Sequence, residues 1–177
     1  MIEAFKKARK EVDSTLVLLG NIASDDPEGD EVYQQLCDQR EERIIIMSHQ
    51  DTALVNALQR KAAVVVQKSI REGFGLTVAE AMWKGAPVIG GNVGGIKYQI
   101  EDGESGYLVS SVDETAERMV TLLKDEKFRH EMGQRAHRTI VNRYLLTRYL
   151  KQYLDLINSI ETSFKVRVSD GKLLPKG

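Results

Sequence analysis

Cysteine is nearly absent from the chain: Cys37 stands alone among 177 residues. That excludes an internal disulfide and a multi-cysteine metal site, and it suits a reducing, cytoplasmic setting. No motif surrounds Cys37, which therefore reads as an inert thiol rather than a nucleophile. Net charge is also lacking. The 25 basic and 26 acidic residues leave −1, so no global field draws in nucleic acid or an anionic membrane, and neither is expected as a partner. Long apolar runs are missing too. The stretch 62–66 is among the longest, far short of the roughly 20 residues of a membrane span. The opening Met1-Ile2-Glu3-Ala4-Phe5-Lys6-Lys7 is charged and amphipathic, unlike a secretory signal. What is present is an apolar fraction of 42%, of which little is aromatic, enough for one domain with a sizeable core.

The first half alternates short apolar runs with helical patterns. Strands are predicted at 15–19, 43–47, 63–66, 87–89 and 107–109, and helices at 2–10, 30–39, 51–61 and 76–84. This rhythm predicts an α/β fold, a doubly wound parallel sheet with helices on both faces and ligands outside the carboxyl ends of the strands. Ser111-Val112-Asp113-Glu114 has the form of a capping box, and Ser48-His49-Gln50-Asp51 has the same form. Beyond Val109 only helices are read, broken near Lys124-Asp125 and 143–147 and ending about Ile160. The domain is thus placed at 1–160. The remainder, 161–177, reads as a disordered tail or as a weak hairpin about Asp170-Gly171.

The chemistry is carried by the stretch from Ile70 to Met82, which follows a predicted strand and opens a helix. Gly73 and Gly75 let backbone approach a ligand, and the N–H groups from Gly75 to Thr77 form an anion site reinforced by the helix dipole. Glu72 precedes this site and Glu80 follows it, with roughly 7.5 Å of helical rise between Gly75 and Glu80. A carboxylate on each side of a phosphate site suits a molecule with hydroxyls at both ends and phosphates in the middle, such as a sugar nucleotide. The plainer reading makes Thr77-x-x-Glu80 a capping box, Glu72 a loop acid and the glycines turn residues. A dinucleotide fingerprint fails, because Val78 stands where its third glycine belongs. Gly90-Gly91-Asn92-Val93-Gly94-Gly95 is a second phosphate-loop candidate, again without the fingerprint spacing.

Glu72 and Glu80, with seven residues between them, resemble the paired-glutamate signature of retaining glycosyltransferases of the twin-Rossmann (GT-B) type. Glu72-Gly73-Phe74-Gly75-Leu76, Glu80-Ala81-Met82, Gly85-x-Pro87-Val88-Ile89, Gly94-Gly95-Ile96 and Asp102-Gly103-x-x-Gly106-Tyr107-Leu108-Val109 all agree. Ser69-Ile70-Arg71-Glu72, Trp83-Lys84 and Gly95-Ile96-Lys97-Tyr98-Gln99-Ile100 are similar, more narrowly, to the trehalose-forming synthases. The resemblance implies the carboxyl-terminal, donor-binding half of such an enzyme, opening after the family's first strand. In it Glu72 contacts the transferred hexose as the catalytic-site acid, and Glu80 holds the ribose hydroxyls. Gly73, Phe74, Gly75, Leu76 and Thr77 surround the diphosphate, Gly94 and Gly95 join the substrate-binding set, and Met47 and Ser48 border the base. The implied reaction is glucose transfer from a nucleoside-diphosphate-glucose to glucose, forming trehalose, with no metal and no cofactor.

The same resemblance implies that the basic loop holding the diphosphate and the amino-terminal acceptor domain lie outside this chain, which alone is then inactive. His49, His130 and His137 match no catalytic position, and Lys68, Arg71 and Lys97 read as solvated. Two other classes remain: a non-catalytic nucleotide or sugar-binding module, and a sugar-nucleotide epimerase or glycoside phosphorylase on a similar fold. Without the first strand, the strands at 15–19 and 63–66 are left with open edges. Direct pairing of those two strands or pairing in a homodimer is expected, in preference to insertion of 164–168.

Overall fold

The computed structural model describes residues 1–20, 27–38, 41–48 and 51–169. The elements run α1 (Ile2–Ala8), β1 (Leu16–Gly20), α2 (Pro27–Asp38), β2 (Ile44–Ser48), α3 (Thr52–Lys61), β3 (Val65–Gln67) and α4 (Leu76–Trp83). They continue with β4 (Val88–Gly91), α5 (Ile96–Gln99), β5 (Tyr107–Val109), α6 (Val112–Lys124), α7 (Glu126–Arg143) and α8 (Leu146–Ser169). All strand pairs are parallel, as the alternation of elements requires. The expected mixed α/β, Rossmann-like class is therefore what the chain adopts.

β4 shows the double winding most directly. Its Ile89 joins Tyr107, Val109, Met119, Leu122 and Met132 on one face. Its Val88 joins Val78, Met82, Ile96, Ala136 and Ile140 on the other. Both are fully buried, so the strand reads as a continuous apolar run rather than an alternating one.

The sheet is in two pieces. β1 pairs with β2, and β3 with β4 and β4 with β5, but among the described residues β1 and β3 do not pair with each other. The direct closure of these two edges expected from the sequence is thus not what forms, and among the described residues no strand lies between them. α1 joins the pieces instead. Its Ile2 and Phe5 pack with Ile44 against Leu16, Leu18 and Ile46 of the first sheet. Its Ala4 and Ala8, one stripe round the helix, pack into the cluster under β4 and β5. Alanine at both positions lets α6 approach closely, and the seam is flanked by ion pairs of Lys7 with Asp113 and of Lys124 with Glu11 at 2.7 Å. Such exposed pairs are screened by solvent and contribute little, so the apolar contacts carry the joint.

Three local readings are corrected. The cap of α3 is Asp51, whose carboxylate accepts from Ala53 and Leu54 N–H, and not Ser48, which ends β2. α4 is capped by Gly75 in a left-handed conformation, so Thr77-x-x-Glu80 is not its capping box. The backbone of 164–168 belongs to α8, which runs on to Ser169, rather than to an arm of a hairpin. Residues 170–177, including the proposed Asp170-Gly171 turn, lie outside the described residues.

The capping box at Ser111 does form: its hydroxyl accepts from Glu114 N–H, and the Glu114 carboxylate accepts from Ser110 and Ser111 N–H at 2.7 and 3.1 Å. Those two bonds hold the Glu114 carboxyl below its ordinary value. A depressed folded-state pKa contributes stability that is fully present above the unfolded value and lost as pH falls through the folded one. Glu114→Gln is therefore expected to lower the thermal unfolding midpoint at neutral pH more than at roughly pH 2 to 3. An equal loss at both pH values would show that the carboxylate has no special role in the cap.

Candidate functional site

The loops that leave β3 and β4 at their carboxyl ends meet backbone to backbone. A β-carbon on Gly94, which lies at φ 48°, would come within 1.7 Å of Glu72 O. One on Gly95 would lie 2.4 Å from Gly73 O and 2.6 Å from Phe74 Cα, and one on Gly91 would lie 2.9 Å from Ser69 O. Gly91, Gly94 and Gly95 thus serve close packing of one loop on the other. Gly94 and Gly95 face the protein's own backbone, which accounts for them without a phosphate.

This contact presses the loop 69–75 into a defined shape. Glu72 Oε1 accepts from Gly75 N–H at 3.2 Å, and Glu72 Oε2 accepts from Ser69 Oγ at 3.4 Å. Ser69 in turn is held by Gln67 Nε2 at 2.8 Å. Gly75, at φ 89°, turns the chain into α4 in a conformation that suits glycine. Its N–H is already engaged by Glu72. The next N–H groups, of Leu76 and Thr77, begin α4 where no intrahelical partner exists, and both residues are exposed. A helix start of this kind turns its N–H groups and the positive end of the helix dipole towards solvent.

Glu80 lies on the exposed side of α4, where Gln59 Nε2 of α3 approaches its Oε2 at 3.4 Å. Gln59 is itself buried and also accepts from Lys84. α3 follows directly from the end of β2, so Gln59 ties the acid on α4 to the element that follows Met47 and Ser48. These two residues close β2 opposite Leu19 and Gly20, Met47 half-buried and Ser48 exposed.

The surface around Glu72 is unusually apolar. Ile70 is 91%, Leu76 67% and Phe74 45% exposed. Phe74 also meets the edge of Tyr144, whose hydroxyl donates to Tyr98 O, so the loop is braced from the side of α5. Arg71 is exposed beside Glu72, Lys97 lies over the Tyr98 ring, and Lys68 lies close enough to Glu114 to favour its charged form. His130 bonds Gln134 and His137 bonds Trp83 O, both away from the glutamates along the chain, while His49 lies outside the described residues.

Sequence reasoning gave no role to Gln67, Ser69, Gln59 or Gln99, although Ser69 and Gln99 stand in the stretches that carry the resemblance. Gln99 had a signal: it stands between Ile96 and Ile100 at buried helical spacing, yet is polar and 1% exposed. Its Nε2 donates to Phe74 O, and its Oε1 has no hydrogen-bond partner among the described residues. A buried acceptor left so costs about 1–3 kcal/mol.

The family model for glycosyl transferases group 1 matches residues 1–139. The chain belongs to this family. It is 40% identical over 166 residues to a trehalose synthase of Pyrococcus horikoshii, which covers 90% of this chain and 40% of that relative. The chain therefore spans well under half of the curated relatives it resembles. It is similar in structure to the C-terminal domain of the group 1 glycosyl transferase LpcC of Francisella tularensis, with 28% identity, a TM-score of 0.68 and coverage of 82% of this chain and 80% of that one. Anabaena HepE, solved with UDP and glucose, shares the fold at 21% identity and a TM-score of 0.75, over 90% of this chain and 44% of its own. The doubly wound domain is thus of the kind that forms the C-terminal half of the twin-domain glycosyl transferases. Among the described residues no helix is long and apolar enough to cross a membrane.

The glycine packing yields a direct test. Gly94→Ala should destabilise the domain by about 1–3 kcal/mol in urea unfolding, as overpacking does. Gly103→Ala, also at positive φ but with open space around it, should cost clearly less. Equal losses would mean that the two loops do not depend on their close approach.

Proposed function

We propose that this chain is the donor-binding domain of a retaining hexosyltransferase that moves glucose from a nucleoside-diphosphate-glucose to glucose, forming trehalose. The observation that carries the reading is the fixed Glu72 carboxylate at one end of the open start of α4, with Glu80 one helical stretch further on. The hexose belongs at Glu72, the diphosphate at the Leu76 and Thr77 N–H groups, the ribose at Glu80 and the base towards Met47 and Ser48. Donors held in place before charge develops on the leaving diphosphate are the expected source of rate acceleration. The trehalose product is favoured over epimerisation or phosphorolysis by the identity with the Pyrococcus horikoshii relative.

The acceptor would be held by a second, amino-terminal domain, which the exposed Ile70, Phe74 and Leu76 are suited to face. A homodimer is the other arrangement that would cover them. The lone Cys37 fits a cytoplasmic setting.

Calorimetric titration of the chain with UDP-, ADP- and GDP-glucose is expected to show binding in the millimolar range for at least one donor. No heat for any of the three at millimolar concentration would count against the site. Trehalose should not form from donor and glucose with this chain alone, since neither acceptor positioning nor a cation on the leaving group is supplied. Product above background would overturn that expectation.

The two acids should separate by ligand. Glu80→Ala should weaken the nucleoside diphosphate and its glucose conjugate alike, by roughly tenfold, the loss of one charge-assisted hydrogen bond. Glu72→Ala should remove only the preference for the glucose conjugate. If both variants bind both ligands within about twofold of the parent, which is roughly 0.4 kcal/mol, the assignment fails.

A further inference from the structure

A buried carboxamide with one bond made and one acceptor unmet is an expensive way to fill space, and Gln99 sits directly beneath the loop that carries Glu72. Its Nε2 donates to Phe74 O across 25 residues of sequence. The Phe74–Gly75 peptide is a rigid plane whose carbonyl and N–H point in opposite directions. Whatever fixes the Phe74 carbonyl therefore aims the Gly75 N–H, and that N–H is the one that binds Glu72 Oε1 at 3.2 Å. An apolar side chain of the same volume would leave no orphaned acceptor, but it would release the carbonyl. The second Glu72 oxygen is held independently through Ser69 and Gln67.

We propose that Gln99 is a positioning residue that sets the Glu72 carboxylate through the Phe74–Gly75 peptide. It acts through the backbone and touches no substrate. The role as a determinant of hexose binding rests on the reading of Glu72 given above, whereas the clamp on the peptide does not. Gly75 is suited to the relay because its φ of 89° lets the peptide plane adopt this orientation, and because a β-carbon there would press Ile96 at 3.0 Å and approach Gln99 Nε2 at 3.7 Å. The contact of Phe74 with Tyr144 holds the side chain rather than the peptide plane.

The test is amide exchange in the ligand-free, isotopically labelled chain, followed by titration with UDP-glucose and with UDP. Gln99→Met keeps the volume and removes the donor, and Gln99→Leu removes both polar atoms of the carboxamide without burying a charge. In both, the Gly75 amide should exchange about tenfold faster or more, with the amides of α6 and the thermal midpoint little changed. The preference for UDP-glucose over UDP should fall towards that of Glu72→Ala, while the affinity for UDP is kept. Unchanged Gly75 exchange in a folded variant would overturn the proposal whatever the ligand does. Should Gln99→Met fail to fold, Gln99→Leu gives the same reading. Faster Gly75 exchange with no binding of UDP-glucose by the parent chain would support the clamp and reject the donor site, so the two failures are distinguishable.

Discussion

The geometry of the site depends on how closely the loop after β4 approaches the loop after β3. With no side chain at Gly91, Gly94 or Gly95, the backbone of one loop becomes the floor of the other. Glu72 is then placed by contacts that are mostly main chain or one atom removed from it: the Gly75 N–H, the Ser69 hydroxyl and the Phe74 carbonyl held by Gln99. Main-chain supports have few rotamers to lose, so a carboxylate held by them is ordered before any ligand arrives. The same closeness makes the site brittle, because a β-carbon on Gly94 would press on the backbone of Glu72 itself.

α1 has a comparable role for the domain as a whole. Two parallel sheets that do not pair can share one fold only if something covers both, and a seven-residue helix with two adjacent apolar stripes does so. The arrangement leaves an edge on β1 and another on β3, and such edges are normally managed in folded proteins. Val17 and Ile45, register partners in β1 and β2, are more than a third exposed on the face away from α1. α8 adds Leu146, Leu150, Tyr153, Ile157 and Ile160, all about half exposed or more, at three- and four-residue spacing along one side. These surfaces and the apolar rim of Glu72 belong to a domain whose curated relatives are more than twice its length.

Much of this was legible in the chain. Val, Ile and Leu runs separated by helical spacing were enough for a parallel α/β fold, because a buried parallel strand has few other compositions open to it. Gly75 was legible as the turn into α4 because a left-handed entry favours glycine, and the same spacing singled out Glu72, Gly73 and Glu80 as candidates. The capping box at Ser111 was read correctly because a helix start also favours particular residues. The Ser48 reading failed because Asp51, three positions on, is an equally good cap, and spacing alone does not say which of the two the backbone will use. The helical course of 164–168 was missed because alternation over five residues competes with continuation of a helix already under way, and adding one residue to a formed helix is far easier than starting a strand.

The harder lesson lies in the glycines and in Gln99. Glycine in a loop after a strand is compatible with a ligand's phosphate or with the protein's own backbone, since both need the same absent side chain. At Gly94 and Gly95 the structure supplies the backbone, whereas Leu76 and Thr77 at the start of α4 are exposed. Gln99 is the converse case: a polar residue in an apolar register, invisible to motif spacing because its partner is 25 residues away and is a carbonyl rather than a side chain. Spacing rules find the groups that meet a ligand, because those must lie on one short loop and helix. The groups that aim them are set by tertiary contact, and in sequence they leave only a buried position of the wrong polarity.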